Sequence, residues 1–334
     1  MKRTPSVDTT QGAEASALSV DRSTNQASVL LSHQVEQLFA THGKTFHFAS
    51  RFFPQKIRPA IVTLYAFFRT LDDLVDERAS GWQAEAVVRE LDAWQEWFLL
   101  GCASAAPREP LGARLAAVLA QFDVPLALFQ DFLCGQRSDL EPRVFADAQE
   151  LLLYCYQAAG TVGLALAHVL GTRSEQALRA ARHLGIAMQL TNILRDVGRD
   201  LAYGRIYLPQ DELARFSSSS AHLSQLYQEK QGPDERFREL MRYQIRRARL
   251  FYMQGLHGCW LLPRNCRVPI LLAGRLYQRI LQQIERCDYD VLRRRAATGL
   301  FTKLREAGAV ILLAALWQWG EHEHSIESEC LDEP

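Results

Sequence analysis

Apolar residues recur at spacings of three and four along most of the chain from residue 32 onward, which is the period of an amphipathic α-helix. Segments in which apolar and polar residues alternate, as they do in a half-buried strand, are scarce. The pattern therefore predicts an all-α protein with long helices over residues 83–101, 111–122, 146–170, 174–201 and 235–256.

Proline, glycine and serine interrupt this pattern and mark its turns. The interruptions fall at residues 54–59, 101–110, 142, 171, 204–209, 217–220, 232–233 and 263–269. None has the composition of a flexible linker and no segment repeats, so we expect one helical domain over residues 30–320. Residues 1–29 are rich in Ser, Thr, Ala and Gln, which predicts a disordered tail, and residues 321–334 are expected to form a polar C-terminal tail.

The balance of positive and negative residues limits the kinds of partner that the protein can attract. The chain has 38 Lys and Arg residues against 38 Asp and Glu residues, so no net field attracts nucleic acid and we expect no nucleic-acid partner. Its seven cysteines show no zinc-ligand spacing and no disulfide framework, which favours a reducing, cytoplasmic compartment. No apolar run is expected to reach the ~18 residues of a membrane span.

Polar side chains concentrate on one side of the predicted helix that contains QLTNILRDVGRD, residues 189–200. At 100° per residue, the side chains that share an arc of about 80° beside an apolar stripe are Gln189, Asn192, Asp196 and Asp200. Carboxylates four residues apart on one face repel each other by about 0.2–0.5 kcal/mol. The arrangement indicates that a positively charged partner compensates them.

The segment YAFFRTLDDLVDE, residues 65–77, has the same design. An arc of about 60° on its predicted helix holds Tyr65, Arg69, Asp72 and Asp76, with Asp73 at the edge of the arc. The remaining surface of this helix is largely apolar, so the segment presents a second acidic face on a buried helix.

Two interpretations of these acidic faces are open from the residues alone. Each could be a solvated helix face with local salt bridges, which is the commoner origin of a single DxxxD spacing. Alternatively, Mg²⁺ is usually held by one or two carboxylates together with substrate phosphates, and arginine pairs readily with phosphate. The presence of two such faces, each with an arginine, favours a site in which Mg²⁺ bridges to a diphosphate.

The two segments together, YAFFRTLDDLVDE and QLTNILRDVGRDLAYGRIYLPQDEL, resemble the aspartate-rich motifs of the squalene and phytoene synthase family. The resemblance extends to HGKTFHFASRFFP and YCYQAAGTVG and covers nearly all of residues 38–300. It implies a single-domain, isoprenoid synthase-type helical bundle around a long central cavity. The tail GRIYLPQDEL is most similar to that of phytoene synthases.

The resemblance also implies a reaction. Members of the family join two allylic diphosphates head to head, with Mg²⁺, through a cyclopropyl diphosphate. Similarity to phytoene synthases implies geranylgeranyl diphosphate as substrate and phytoene, a carotenoid precursor, as product, with no nicotinamide cofactor and with Mn²⁺ as the alternative ion. The other candidates are a presqualene, squalene or dehydrosqualene synthase acting on farnesyl diphosphate, a terpene cyclase or chain-elongating synthase, and a non-catalytic assembly-factor relative.

The resemblance assigns roles to particular residues. It implies a set of metal ligands, namely Asp72, Asp73, Asp76, Asn192, Asp196 and Asp200, and a catalytic set of Tyr65, Arg69, Asp72, Asp76, Asp196 and Asp200. It implies substrate contacts for Lys44, Thr45, Tyr154, Gln189, Asn192, Arg195, Tyr277 and Arg294. The chain departs from the family pattern at Arg199, where many relatives have Glu, and at Gly43 and Thr45, where serines are usual.

Prenyl diphosphates are the ligands that the resemblance implies, and association with neighbouring isoprenoid-pathway enzymes is a further expectation. Five arginines in residues 238–249 predict a solvated helix face. The alternative is a peripheral contact with membrane headgroups, where a C20 substrate would be found. No strand–GxGxxG–helix unit is present, so the sequence gives no support for a dinucleotide site.

Overall fold

The computed structural model describes residues 48–77, 84–141, 143–230, 232–296, 299 and 301–313. These residues form helices and connecting turns and no strand, which confirms the predicted all-α class. The helices, in chain order, are α1 Arg58–Glu77, α2 Ala84–Leu99, α3 Leu111–Phe122, α4 Ala127–Ser138, α5 Ala148–Cys155, α6 Thr161–Val169, α7 Glu175–Ala202, α8 Gln210–Arg215, α9 Ser220–Gln228, α10 Glu235–His257 and α11 Arg264–Arg286. A further helix, α12, covers residues 301–313. The predicted domain boundaries at residues 30 and 320 lie outside the described residues.

The five predicted helical runs are helical in the structure, but two details of the prediction are wrong. Residues 146–170 are not one continuous α-helix, because a π-helical turn at Tyr156–Gly160 separates α5 from α6. The predicted interruption at 263–269 ends too late, because α11 begins at Arg264 and continues through Pro269. Pro269 lies in the second turn of α11, where it costs one backbone hydrogen bond, and its ring is buried in the core.

Large aromatic rings hold α1 in place. Phe67 is fully buried and packs edge-to-face against Trp94 and Phe98 of α2 and Phe129 of α4, with ring centroids 5.1, 5.7 and 5.4 Å away. Aromatic pairs of this geometry contribute about 0.5–1.5 kcal/mol each beyond the burial of their surface. The acidic residues of α1 lie on the opposite side of the helix from Phe67, so the ring cluster determines the direction in which they point.

Close backbone approach positions α7, the longest of these helices. A Cβ atom on Gly185 would lie 2.2 Å from the carbonyl oxygen of Ala159 in the π-helical turn. On another side of α7, a Cβ atom on Gly255 of α10 would lie 2.7 Å from the backbone nitrogen of Leu184. Side chains larger than hydrogen cannot occupy these positions without displacing a helix, so α7 is held tightly between its neighbours.

Apolar cavities lie along α7. One small cavity, of about 50 Å³, lies between α6, α7, α10 and α11, and Gly163, Ala181 and Leu184 are among its walls. Another, of about 10 Å³, lies beside the C-terminal end of α7, where Asp200 and Tyr207 meet a mostly apolar wall. Both cavities bring apolar surface close to the helix that carries the second acidic motif.

The segment Ala148–Val169 is long and apolar enough to count as a candidate membrane span, so the expectation that no run reaches that length is wrong. In the structure, 44% of its apolar window is buried inside the protein, and the segment packs against α4 and α7. Core helices of soluble proteins pass the same test of length and composition. Its packing accounts for Ala148–Val169 as a core segment of this bundle.

The arginines of residues 238–249 are mostly engaged in ion pairs. Arg238 pairs with Asp288, Arg242 with Glu235, Arg247 with Glu212 and Arg249 with Glu285. The predicted solvated face is wrong for Arg247, whose side chain is 14% exposed and which meets a Glu212 side chain that is 6% exposed. This buried pair ties α8, in the LPQDEL segment, to α10.

Candidate active site

The two acidic faces predicted from the sequence meet at one place in the structure. Asp76 lies near the C-terminal end of α1, and Arg199 and Arg205 approach it from the C-terminal end of α7 and the loop that follows. Each of these arginines donates a hydrogen bond to the Asp76 carboxylate over 3.3 Å. The acids of α1 and α7 therefore face one another across a shared site.

Arg69 organises the first acidic motif from within α1. Its guanidinium donates to Asp72 Oδ2 over 2.8 Å and also to the carboxylate of Asp73, one turn further along the same face. The Arg69 Nε is buried and makes no hydrogen bond within the described residues. The Nε–H of Arg69 is therefore a donor that could serve an acceptor such as a diphosphate oxygen.

The Asp72 carboxyl group is electrostatically unfavourable when ionised. Removal of surrounding water by the protein raises its pKa to about 7, and the negative charges of Asp76, Asp73 and Asp139 act in the same direction. Arg69 opposes this shift only in part. The side chain remains 47% exposed, so a ligand from solution can reach it.

Asp196 of α7 is held in the opposite way, between two arginines. Arg195 donates to its two oxygens over 2.9 and 2.6 Å, and Arg295 donates to the same two oxygens over 2.7 and 3.1 Å. Burial acts to raise the pKa of this carboxyl group, but hydrogen bonds and charge from the two arginines outweigh it and lower the pKa below its usual value. Asp196 is therefore an ionised carboxylate whose negative charge is balanced by the two arginines.

Gly198 explains how Arg295 reaches Asp196. The segment after α11 turns back at Asp288 and Tyr289, which have φ of 53° and 62°, and crosses α7 at Gly198. The Gly198 amide donates to the carbonyl oxygen of Val291 over 3.2 Å, and a Cβ atom at Gly198 would lie 2.3 Å from the carbonyl oxygen of Leu292. Only glycine allows this crossing, and the glycine stands inside the sequence DVGRD.

Arg294, to which the resemblance assigns a substrate contact, adjoins the residue that reaches Asp196. Arg294 is exposed, and it makes no hydrogen bond or ion pair with the described residues. Arg295 makes the contact with Asp196 instead. Three consecutive arginines carry no periodic signal that separates them, so Gly198 is the sequence feature that could have indicated a close crossing at this point.

Asp200 shares the unfavourable setting of Asp72. Its pKa is raised to about 7, mainly by burial and also by the charges of Asp196 and Asp76, against the opposing effect of Arg199 and Arg205. The charge of Asp76 on α1 contributes to this rise, which is consistent with the two acidic faces lying close together. Two carboxyl groups of the site, one on each helix, thus favour a positive partner.

A turn at the end of α7 delivers Arg205. Gly204 has φ of 70°, a left-handed conformation that commonly ends helices, and the amide of Arg205 donates to the carbonyl oxygen of Asp200 over 2.8 Å. The side chain then reaches Asp76 and also donates to the carbonyl oxygen of Asp139 over 3.2 Å. The loop is secured beyond this turn by the buried pair of Glu212 and Arg247.

Asp139 is a site residue that the sequence prediction missed. It follows α4, and its carboxylate accepts hydrogen bonds from Tyr154 over 2.8 Å and from Tyr207 over 2.9 Å. The two tyrosine rings stack with centroids 5.2 Å apart. Burial raises the pKa of Asp139, the two tyrosines and Arg205 lower it, and Asp76 raises it again. Tyr154, which was predicted to contact a diphosphate, is buried here and donates a hydrogen bond to Asp139.

The remaining predicted residues on described elements lie along the same face. Asn192 donates to Gln189 over 3.3 Å on α7. Tyr277 of α11 lies close enough to Tyr65 of α1 for its charge to help raise the Tyr65 pKa, although burial is the main cause of that shift. Tyr277 also lies close enough to Arg195 of α7 to contribute to its raised pKa, so this part of α11 lies near both acidic helices. Lys44 and Thr45 lie outside the described residues.

The donor set fits a divalent cation in kind, because carboxylate oxygens are the ligands that Mg²⁺ prefers. Burial is the main cause of the raised pKa values of Asp72 and Asp200, and neighbouring carboxylates add to it, so a bound cation would stabilise the ionised form of each group. Among the residues that the structure describes, no three Asp, Glu, His or Cys side chains are arranged around a common point, and arginines hold most of the carboxylates. Binding a cation therefore requires some of these ion pairs to open.

The chain matches the model of the squalene/phytoene synthase family over residues 39–302. A phytoene synthase from Arthrospira platensis is 40% identical over 281 residues, which cover 80% of this chain and 88% of that protein. A 15-cis-phytoene synthase from Synechococcus elongatus is 35% identical over 296 residues, which cover 85% of this chain and 93% of that protein.

Solved structures show the same helical fold. A dehydrosqualene synthase in complex with a ligand has a TM-score of 0.75 with 28% identity, covering 84% of this chain and 95% of that one. A squalene synthase from Alicyclobacillus acidocaldarius has a TM-score of 0.64 with 24% identity, covering 77% and 94%. The sequence match, the shared fold and the two facing acidic helices lead to one conclusion: this chain is a member of the squalene/phytoene synthase family.

Proposed function

We propose that this protein joins two molecules of geranylgeranyl diphosphate head to head, through a cyclopropyl diphosphate, to form 15-cis-phytoene. The observation that carries the proposal is the meeting of two acidic helices at Asp76, rimmed by arginines and backed by apolar walls. The names of the cyanobacterial relatives, which are 35% and 40% identical to this chain, favour phytoene as the product.

Diphosphate binding is assigned to the arginines of the site. Arg69 has a free buried donor, and Arg195 and Arg295 form a fork of parallel donors at Asp196. Guanidinium groups match phosphate oxygens well, so Arg69 can hold a diphosphate group, and Arg195 and Arg295 can help to orient it with the donors that Asp196 leaves unused. Tyr65 and Tyr277 lie beside them and can donate hydrogen bonds to the same group.

We infer that Mg²⁺, with Mn²⁺ as the alternative, is the cofactor, held by the following residues: Asp72, Asp73, Asp76, Asn192, Asp196 and Asp200. When bound, the ions supply Lewis-acid stabilisation of the negative charge that develops on the departing diphosphate. The carboxylates themselves keep the two helices charged and oriented toward the substrate. No nicotinamide cofactor is part of the proposed reaction, since phytoene formation needs no reductant.

The apolar walls protect the reaction from water. Loss of diphosphate leaves an allylic cation, which water would capture unless the site excludes it. Ile193, Val197 and Leu208 line the cavity beside Asp200, and the aromatic cluster behind α1 keeps that helix rigid. We assign no residue of this chain as the base that takes the proton released in the last step. The departed diphosphate is a chemically suitable acceptor.

A second candidate is a dehydrosqualene or squalene synthase acting on farnesyl diphosphate. One observation favours it: the dehydrosqualene synthase structure covers 84% of this chain with a TM-score of 0.75. Its identity of 28% is lower than the 40% of the phytoene synthase from Arthrospira platensis, so we rank it second.

Incubation of the purified full-length protein with Mg²⁺ and each prenyl diphosphate separates these candidates. We expect 15-cis-phytoene from geranylgeranyl diphosphate, identified by chromatography and mass spectrometry, with or without a reduced nicotinamide. The control variant Asp92→Asn removes a carboxylate on α2 that pairs with Arg137, and it should leave the rate unchanged. Production of C30 hydrocarbons from farnesyl diphosphate, with no phytoene, would replace the proposal by the second candidate.

The cellular setting belongs to the same proposal. We propose that residues 30–320 form the catalytic unit, between tails at 1–29 and 321–334, and that the protein acts in the cytoplasm, with peripheral contact to the membrane that stores its C20 substrate and product. Association with neighbouring isoprenoid-pathway enzymes would serve the transfer of these poorly soluble molecules. Fractionation of cell extracts into membrane and supernatant, with and without high salt, tests the membrane contact.

A further inference from the structure

Two guanidinium groups approach the Asp76 carboxylate, and they differ in how firmly they are held. Arg205 is 20% exposed, and its side chain bonds to both Asp76 and the carbonyl oxygen of Asp139. Its backbone amide is bound to Asp200. Several contacts fix Arg205, so it belongs to the framework of the site.

Arg199 is held much more loosely. Its side chain is 48% exposed, and within the described part of the chain its hydrogen bond is to Asp76, over 3.3 Å. Its other neighbour is the ring of Tyr203, with the guanidinium carbon 6.0 Å from the centroid. Exposed ion pairs of this kind are weak and are screened by salt, so the contact can open when a competitor arrives.

The position of Arg199 makes it a competitor for a divalent cation. It lies one residue before Asp200 and three after Asp196 on α7, and its charge spans the gap to Asp76 on α1. That gap is where a cation bridging the two acidic helices would have to lie, because its ligands come from both. A positive charge already at this point lowers the attraction of the site for a second one.

We propose that Arg199 is an internal counter-ion: it bridges the two acidic helices when no divalent cation is bound, and it must leave Asp76 before a cation can bridge them. This inference rests on the proposed function, since it concerns the cation of the same site. Arg199 therefore sets the concentration of divalent cation at which the site assembles. It is a positioning residue that acts through Asp76.

Mn²⁺ binding to the metal-free, full-length protein tests this inference without relying on catalysis. Electron paramagnetic resonance of free Mn²⁺ measures the affinity directly, with Mn²⁺ alone as the probe. Arg199→Gln should bind Mn²⁺ about three- to tenfold more tightly than the wild type, and Arg199→Glu more tightly still, because charge is first removed and then reversed. Arg199→Lys keeps the charge and should stay within twofold of the wild type.

Arg179→Gln is the matched control. Arg179 is an exposed arginine on the same helix, paired with Glu175, and it lies 20 residues away from Arg199, about 30 Å along the axis. Its replacement should leave Mn²⁺ affinity unchanged. In an Asp76→Asn background, removal of Arg199 should no longer tighten Mn²⁺ binding, because the two residues act on one another.

Equal Mn²⁺ affinity in the wild type and Arg199→Gln would overturn the inference, as would weaker binding in Arg199→Gln or a gain that persists with Asp76→Asn. The proposed function fails by a different observation, the absence of phytoene from geranylgeranyl diphosphate. A protein that makes phytoene but shows no effect of Arg199 on Mn²⁺ would keep the function and lose this inference. Circular dichroism of each variant verifies that the helices are intact.

Discussion

The two acidic helices carry similar chemistry but are positioned by different means. Helix α1 is held by large aromatic side chains, with Phe67 at the centre of a cluster of rings from α2 and α4. Helix α7 is held by close backbone contacts at its own Gly185 and Gly198 and at Gly255 of α10, where a Cβ atom would overlap a neighbouring segment. The position of α1 depends on large side chains that fill the space beside it. The position of α7 depends on glycines that allow backbone segments to approach closely.

Their carboxylates differ as well. Asp72 on α1 has its pKa raised to about 7, because partial loss of solvent around the carboxyl group and three nearby acids act against one arginine. Asp196 on α7 lies between Arg195 and Arg295, and its pKa is lowered. The comparison teaches that a shared DxxxD spacing does not predict a shared electrostatic role. Asp72 has one arginine beside it, whereas Asp196 lies between two.

The largest expected effect comes from neutralising these two carboxylates. Asp72→Asn and Asp196→Asn should each lower kcat by about 10³-fold, because each removes charge that supports departure of the diphosphate. Their stabilities should diverge: Asp196→Asn leaves two arginines uncompensated and lowers the free energy of unfolding by about 2–4 kcal/mol. Asp72→Asn should raise the melting temperature of the metal-free protein, since it relieves repulsion.

Steady-state kinetics at saturating Mg²⁺ and thermal unfolding without metal measure the two effects on the same samples. Asp92→Asn serves again as the control, because this carboxylate is 60% exposed and pairs with Arg137 instead of with a residue of the two acidic helices. Equal stability changes in Asp72→Asn and Asp196→Asn would contradict the difference in their settings.

A second prediction concerns the aromatic support of α1. Phe67→Ala should lower the free energy of unfolding by about 3–5 kcal/mol, because it empties a fully buried position among five rings. Urea unfolding measures this change. Phe301→Ala removes a ring that is 79% exposed on α12 and should change stability by less than about 0.5 kcal/mol. A small loss for Phe67→Ala would show that the ring cluster does not support α1.

A third prediction concerns the glycine support of α7. Gly198→Ala should lower the free energy of unfolding by about 1–3 kcal/mol, because its Cβ atom would overlap the carbonyl oxygen of Leu292. Activity should fall by about tenfold or more, since the displaced segment carries Arg295 away from Asp196. Gly308→Ala, on α12 with open space around it, should be neutral or stabilising by up to about 1 kcal/mol. A wild-type kcat in Gly198→Ala would show that the position of Arg295 does not affect the reaction.

The smallest expected effect is a pH dependence of stability. The folded-state pKa of Asp72 is about 7, above the unfolded value of about 3.9, so the folded state binds a proton more tightly. The stability that this proton contributes is fully present below the unfolded pKa and is lost as the pH rises through 7. Metal-free wild-type protein should therefore become more stable as the pH falls from 8 to 5.

Asp72→Asn provides the reference for this pH dependence. Its advantage in melting temperature over the wild type should be largest at pH 8 and should shrink toward pH 5, where wild-type Asp72 is protonated. Asp196 contributes in the opposite direction, but its lowered pKa confines that effect to more acidic solution. An advantage that is constant from pH 5 to 8 would contradict the raised pKa of Asp72.

The sequence by itself determined the helical class, the positions of the main helices and the two acidic faces, because these depend on local spacing. Apolar residues at intervals of three and four define a helix and its buried side, whatever that side packs against. The faces that carry Asp72 and Asp196 followed from 100° per residue alone. The departure from the family pattern at Arg199 was also visible in the sequence.

Only the tertiary structure decided which groups compensate these acids. Arg295 lies 99 residues from Asp196, and Arg199 lies 123 residues from Asp76, so no period along the chain relates them. Asp139 acquires its place from two tyrosines at separations of 15 and 68 residues. Whether a carboxylate is matched, unmatched or buried depends on what the packing of distant helices brings beside it, and that packing is a property of the whole fold.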